Sequence, residues 1–198
     1  MTPLESWEKV YIKLIGAQSS YADIDPVHAL VGCVNCHGGT EPGDFDQAHD
    51  STLFQDPSKF PEQNCNPCHS QIVETNRNSM HTMAWGEKTV IAQRELGLSK
   101  NHTNFDECPI ELTEGFDGEC TSCHTTCGQC HVSRPNSVHG GLVKNHKFYR
   151  TPDQNNNCTA CHGSRIKTDY EAGISGNYPD VHYNRGLKCL DCHQEDFH

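Results

Sequence analysis

Six times in 198 residues the chain repeats Cys-x-x-Cys-His. The copies are Cys33-Val34-Asn35-Cys36-His37, Cys65-Asn66-Pro67-Cys68-His69 and Cys120-Thr121-Ser122-Cys123-His124. They continue with Cys127-Gly128-Gln129-Cys130-His131, Cys158-Thr159-Ala160-Cys161-His162 and Cys189-Leu190-Asp191-Cys192-His193. Paired cysteines at this spacing also occur in zinc sites and thiol redox motifs. The histidine after every pair separates the readings. With 14 histidines in 198 residues, six unrelated pairs would each gain one with a probability of about 10⁻⁷. Zinc ribbons need two facing cysteine pairs and no adjacent histidine.

The repeated pentapeptide is the attachment signature of c-type haem. In that chemistry both thiols form thioethers to the haem vinyl groups, and the adjacent imidazole ligates iron from one face. Six copies imply six haem c groups. Thioether attachment is assigned to Cys33, Cys36, Cys65, Cys68, Cys120, Cys123, Cys127, Cys130, Cys158, Cys161, Cys189 and Cys192. The proximal iron ligands are His37, His69, His124, His131, His162 and His193. Only Cys108 of the 13 cysteines lies outside the motifs, so no intrachain disulfide is expected. It reads as a small buried apolar residue, with an intermolecular disulfide or a haem-edge contact as alternatives.

Hydrophobic residues make up 34% of the chain and the mean hydropathy is −0.72. Such a composition by itself suggests a poorly cored polypeptide. Six apolar macrocycles change the argument, because they supply a core that the side chains need not supply. Six haems in 198 residues leave about 33 residues for each. The expected fold is therefore mostly irregular coil with short α-helices, wrapped around a closely packed chain of six c-type haems, with little or no β-sheet. A formal net charge of −11 argues against nucleic acid and anionic membranes as partners. No apolar run approaches the ~20 residues that span a bilayer, so no transmembrane segment is expected. Glu5 and Glu8 interrupt the start, which lacks the basic and apolar regions of a signal peptide.

Residues 2–16 read as a helix. Thr2-Pro3-Leu4-Glu5 combines a capping box with proline in the first turn. Leu4, Trp7, Tyr11, Leu14 and Ile15 then share a face, and Gly16 suits the stop. A second helix is expected around 87–96, ending at Gly97. The motifs begin at 33, 65, 120, 127, 158 and 189. Three of the five steps are 31 or 32 residues, a loose repeat without similarity outside the motifs. The third and fourth motifs start only 7 residues apart, which places two haems nearly in contact. Asn155-Asn156-Asn157 reads as a turn. The chain is treated as one hexahaem unit, 1–198, with a soft boundary expected near 100–118.

The opposite face of each iron decides between carrying electrons and binding substrate. Eight histidines lie outside the motifs, more than the six needed for bis-His ligation throughout. Distal ligands are expected among His28, His49, His81, His139, His146 and His182. His28 and His49 flank the first motif, and His139 and His146 bracket Gly140-Gly141. His102, in a polar stretch, and His198, at the terminus, are the weaker candidates; His198 could ligate a haem of a neighbouring molecule. Met80 and Met83 read as packing residues rather than ligands.

From residue 33 to 193 the chain resembles multihaem c-type cytochromes, in particular those of extracellular electron transfer in metal-reducing and syntrophic microbes. That resemblance implies electron transfer without chemistry on a substrate. It implies redox partner proteins or extracellular acceptors. It also implies self-association, in some relatives as head-to-tail filaments in which one subunit ligates a haem of the next. An extracellular or cell-surface location follows, with the periplasm as alternative, the export signal lying outside this chain. The competing class is a multihaem reductase of small nitrogen or sulfur oxyanions. It would need one open haem face, which no variant motif here demands.

Overall fold

Short helices broken by glycine, proline and asparagine carry the chain, as so few apolar side chains allow. A computed structural model of the protein describes residues 5–40, 44–120, 126–135, 139–173 and 177–193. About 60% of the described residues are helical and none belongs to a strand. Isolated bridges join Ser133 to Leu142 and Lys144 to His146. The absence of sheet agrees with expectation, but helix outweighs irregular coil. Without a sheet, backbone N–H and C=O groups find their partners most cheaply within a local turn. Many of the helices are accordingly single turns. The longer ones are Ser6–Leu14, Asn66–Arg77, Trp85–Leu96 and Ile110–Glu119.

The first helix runs over Ser6–Leu14, where the Glu8 carboxylate accepts from the Glu5 amide at 2.5 Å. The expected cap at Thr2 and Pro3 lies outside the described residues. Trp7 packs edge-on against Phe45 and His49, with ring centres 5.8 and 5.6 Å away. Gly16 adopts φ +86°, which favours glycine. A Cβ there would also collide with the Asn145 side chain. The residue thus ends the helix and admits a distant segment at the same point.

The second expected helix is Trp85–Leu96, stopped at Gly97 with φ +117°. With the 3₁₀ run His102–Glu107 and the helix Ile110–Glu119 it forms a side-chain core of Ala84, Phe105 and Phe116, with Ile91 packed against it. The Lys88 ammonium lies 5.6 Å from both ring centres. The 100–118 stretch therefore packs back onto Trp85–Leu96. Cys108 is buried, in keeping with a small apolar role, and burial pushes its thiol upward. Outside this module the described apolar surface is largely uncovered. Leu30 is 88% exposed and Tyr178 91%.

Phe116→Ala should cost about 3–5 kcal/mol, the range for removing a buried aromatic ring. Hydrogen exchange should accelerate across 85–119 and stay unchanged across 127–162. Uniform acceleration, or none, would show that this module is not a separate core.

Candidate functional site: the cysteine motifs and their imidazoles

One helical turn presents both thiols of a motif on the same side, because positions three apart share a face. The first and fourth motifs are the helices Cys33–His37 and Cys127–His131. The sixth is Cys189–Cys192. The fifth spans a π-helical run, Gln154–Cys158, and the turn Thr159–His162. In the second, His69 leaves helical geometry (φ −121°, ψ 38°) inside Asn66–Arg77. Cys120 follows Ile110–Glu119; Cys123 and His124 lie outside the described residues. Among the described residues no disulfide joins the cysteines.

Two motif imidazoles are oriented by the same main-chain device. His37 Nδ1 lies 3.1 Å from the Phe54 carbonyl, and His131 Nδ1 lies 2.6 Å from the Tyr149 carbonyl. A carbonyl can only accept, so Nδ1 carries a proton, and the neutral tautomer consistent with the contact has its lone pair on Nε2. The same two residues return the contact: the Phe54 amide donates to the His37 carbonyl at 2.9 Å, and the Tyr149 amide to that of His131 at 2.7 Å. An Nδ1–H held this way is the usual support of a metal-ligating imidazole. His49 Nδ1 donates likewise to the Phe45 carbonyl at 2.7 Å. His182 Nδ1 sits 2.8 Å from Asp180 Oδ1. His28 Nδ1 lies 3.1 Å from Asp25 Oδ1, within ion-pair distance but outside hydrogen-bond geometry.

Three His–His ring contacts occur among the described residues. His37 faces His146 at 5.9 Å between ring centres, His28 faces His69 at 6.4 Å, and His81 faces His162 at 6.3 Å. Each joins one motif histidine to one from outside the motifs. Burial, reinforced by His37, holds the His146 imidazole below its ordinary range. Burial would raise the Asp25 carboxyl, but the His28 and Phe148 donors outweigh it and hold it below the usual carboxylate range.

Polar braces set the motifs side by side. The Cys36 thiol is raised by burial, then by Cys33 and by Cys68 of the second motif. Cys65 and Cys127 share a hydrogen bond that pushes Cys65 above the usual thiol range and draws Cys127 down to about 7. Ser58 and Thr126, which caps the fourth motif, share another at 2.6 Å. The buried Asn157 amide donates to the carbonyls of Gln129 (2.6 Å) and Ser133 (2.8 Å), joining the fifth motif to the fourth. The Cys189 amide donates to Gln154 Oε1 at 2.9 Å, joining the sixth to the fifth. Burial and the Cys189 thiol push Cys158 up to about 11. The described motifs therefore run first, second, fourth, fifth, sixth.

Among the six favoured distal candidates, His28, His81 and His146 meet a motif histidine. His49, His139 and His182 make no ring contact with a described motif histidine. His49 stacks on Phe45 at 4.1 Å, and exposed His139 has φ +70°. His102 stacks on Trp85 at 5.0 Å, and its amide donates to Thr89 Oγ1 at 3.0 Å; its place is in the side-chain core module. His198 lies outside the described residues. The roles of Asn157 and of the Phe54 and Tyr149 carbonyls were not expected from sequence. An aromatic residue 17 or 18 positions after a motif histidine was the only trace of the latter. Compared with protein-family models, characterised proteins and solved structures, the chain has no match.

Asn157→Asp should destabilise the protein by about 1–3 kcal/mol, because two buried carbonyls lose their donor. Denaturant titration reads the effect. An unchanged midpoint would mean that the brace contributes nothing.

Proposed function

We propose that the protein is an electron carrier that holds six c-type haems and passes electrons along them. When bound, a c-type haem supplies a one-electron iron couple. Each motif's two cysteines would hold it covalently, and the motif histidine would ligate its iron. The residues fit such a group. The described thiols form no disulfide, and in His37 and His131 a carbonyl engages Nδ1, which assigns Nε2 as the atom that would ligate. Apolar side chains near the motifs in sequence stand exposed, among them Val27 and Leu30 before the first, Ile72 after the second and Val181 before the sixth.

The observation that carries the conduit reading is the neighbour contact between successive motifs. A storage or scaffold role has no need of such contacts among the described motifs. The chain's residues keep that run in register through Ser58, Thr126, Asn157 and Gln154. Among the described residues no helix is long and apolar enough to cross a membrane. Redox proteins or extracellular acceptors as partners, a location outside the cytoplasm and head-to-tail assembly belong to the same proposal. They are supported by the resemblance of the motif array.

Expression with a haem-attachment system should give protein whose intact mass shows six covalent haems and whose reductive titration is stepwise and reversible. Protein without covalent haem would sink the reading. Turnover of nitrite, hydroxylamine or tetrathionate would move it to the reductase class. Electron microscopy of the secreted protein decides between filaments and discrete particles. Within the conduit, Cys127→Ser/Cys130→Ser should slow conduction across the protein far more than Cys189→Ser/Cys192→Ser, since among the described motifs the fourth is internal to the run and the sixth stands at its end. Equal losses would contradict the proposed order.

A further inference from the structure

We infer that His146, His28 and His81 supply the second axial ligands to the irons held by His37, His69 and His162, respectively. This rests on the haem reading above and assigns its ligands pair by pair. Two imidazoles on opposite sides of one metal, each with a metal–nitrogen bond of about 2 Å, have ring centres about 6.3 Å apart. The three pairs stand at 5.9, 6.4 and 6.3 Å. Packing alone produces ring contacts over a similar range, so distance is not the whole argument. Among the described residues each His–His contact takes one motif ring and one ring from outside the motifs. The interplanar angles of 45°, 31° and 88° have no common value. That suits rings linked only through a shared axis, about which each can turn.

The non-motif rings are positioned from elsewhere in the chain. Tyr21 donates its hydroxyl to the His146 carbonyl at 2.9 Å, and the His146 amide donates to the Ile15 carbonyl at 3.2 Å. His28 is stacked on Phe148 at 4.1 Å. Asp25 accepts from the His28 amide at 3.0 Å and from the Phe148 amide at 3.2 Å. Residues 15–28 and 146–148 thus form one clamp that aims two imidazoles at two neighbouring motifs. His81 sits on the turn Met80–Met83, where Ser79 accepts from the Thr82 amide at 3.3 Å. The assignment crosses the sequence. His28 precedes the first motif yet faces the second, and His146 follows the fourth yet faces the first.

The test uses the full-length, haem-loaded protein. His146→Ala, His28→Ala and His81→Ala should each convert one of six low-spin haems to a high-spin form by electron paramagnetic resonance, and make one bind carbon monoxide when reduced. His102→Ala should convert none. His→Met at the same three positions should keep the haem six-coordinate and raise the potential of one redox step. The pairing is read by combination. His28→Ala should add no high-spin haem when Cys65→Ser/Cys68→Ser has removed the second site, but should still add one when Cys33→Ser/Cys36→Ser has removed the first. His146→Ala should do the reverse. In the unmutated protein, nuclear Overhauser contacts should link the meso protons of one haem to both His28 and His69 rings. That measurement decides the case if a double variant is not secreted. Six haems that stay low-spin in all three alanine variants, or contacts to a different ring, would overturn the assignment. Failure to attach haem would instead strike the function proposed above.

Discussion

An imidazole has two nitrogens, and what one of them holds decides where the other points. In this protein the Phe54 and Tyr149 carbonyls accept the Nδ1 protons of His37 and His131, so that on the proposed function Nε2 would be the ligating atom. That arrangement depends on backbone from residues well downstream closing over each motif. After the first motif the chain can do so because Gly38 stands at φ +74°, where a Cβ would collide with the Thr52 carbonyl. A larger residue there would push the 52–54 segment away and free the His37 ring to rotate. Ligand geometry, main-chain path and glycine placement are therefore one constraint.

The second constraint is the shortage of side-chain core around the motifs. The braces between them are hydrogen bonds from Ser58, Thr126, Asn157 and Gln154. Each is worth about 1 kcal/mol net. Ordering one residue's backbone costs roughly 1–2 kcal/mol, so a few braces cannot hold these segments by themselves. Apolar burial at about 25 cal/mol per Å² is the term large enough to do it, and the exposed faces of Val27, Leu30, Ile72 and Val181 are where it would arise. A haem face against those side chains would then be a condition of folding as well as of function. The module at 84–119 needs no such help, because Phe105 and Phe116 already form its core.

The motifs were legible in sequence because their chemistry is local: two thiols and an imidazole within five positions. The helix Trp85–Leu96 was legible for the same reason, through Gly97 at its end. The absence of sheet followed from composition, although helix proved more prevalent than coil. Asn157 was read as part of a turn and is a buried donor, since sequence shows an amide side chain but not which carbonyls lie opposite. His102 was a weaker candidate on sequence, from its polar surroundings, and its ring stacks on Trp85. The Phe54 and Tyr149 contacts are made by main-chain atoms, which every residue has. The three histidine ring contacts were beyond reach because each joins segments remote in sequence: His28 flanks the first motif, but its ring contact is with His69 of the second.

On the inferred pairing, remoteness costs little in equilibrium terms and more in time. Loop-closure entropy grows only as the logarithm of loop length, so joining His146 to His37 rather than closing the shorter loop from His28 to His69 costs about 1 kcal/mol extra. Order of emergence is less forgiving. Both rings of the second site are present once His69 has been made, and the fifth site finds His81 already in place. The first motif must wait for His146, and for Phe148 to settle on Asp25 and His28. The motif nearest the start of the chain is thus the one of the three that is made before its partner and must wait for it. The Tyr21 and Asp25 contacts that hold the returning segment close the N-terminal part of the protein at the same moment. Completion of the first site and closure of the N-terminal part are then a single event, because the same residues perform both.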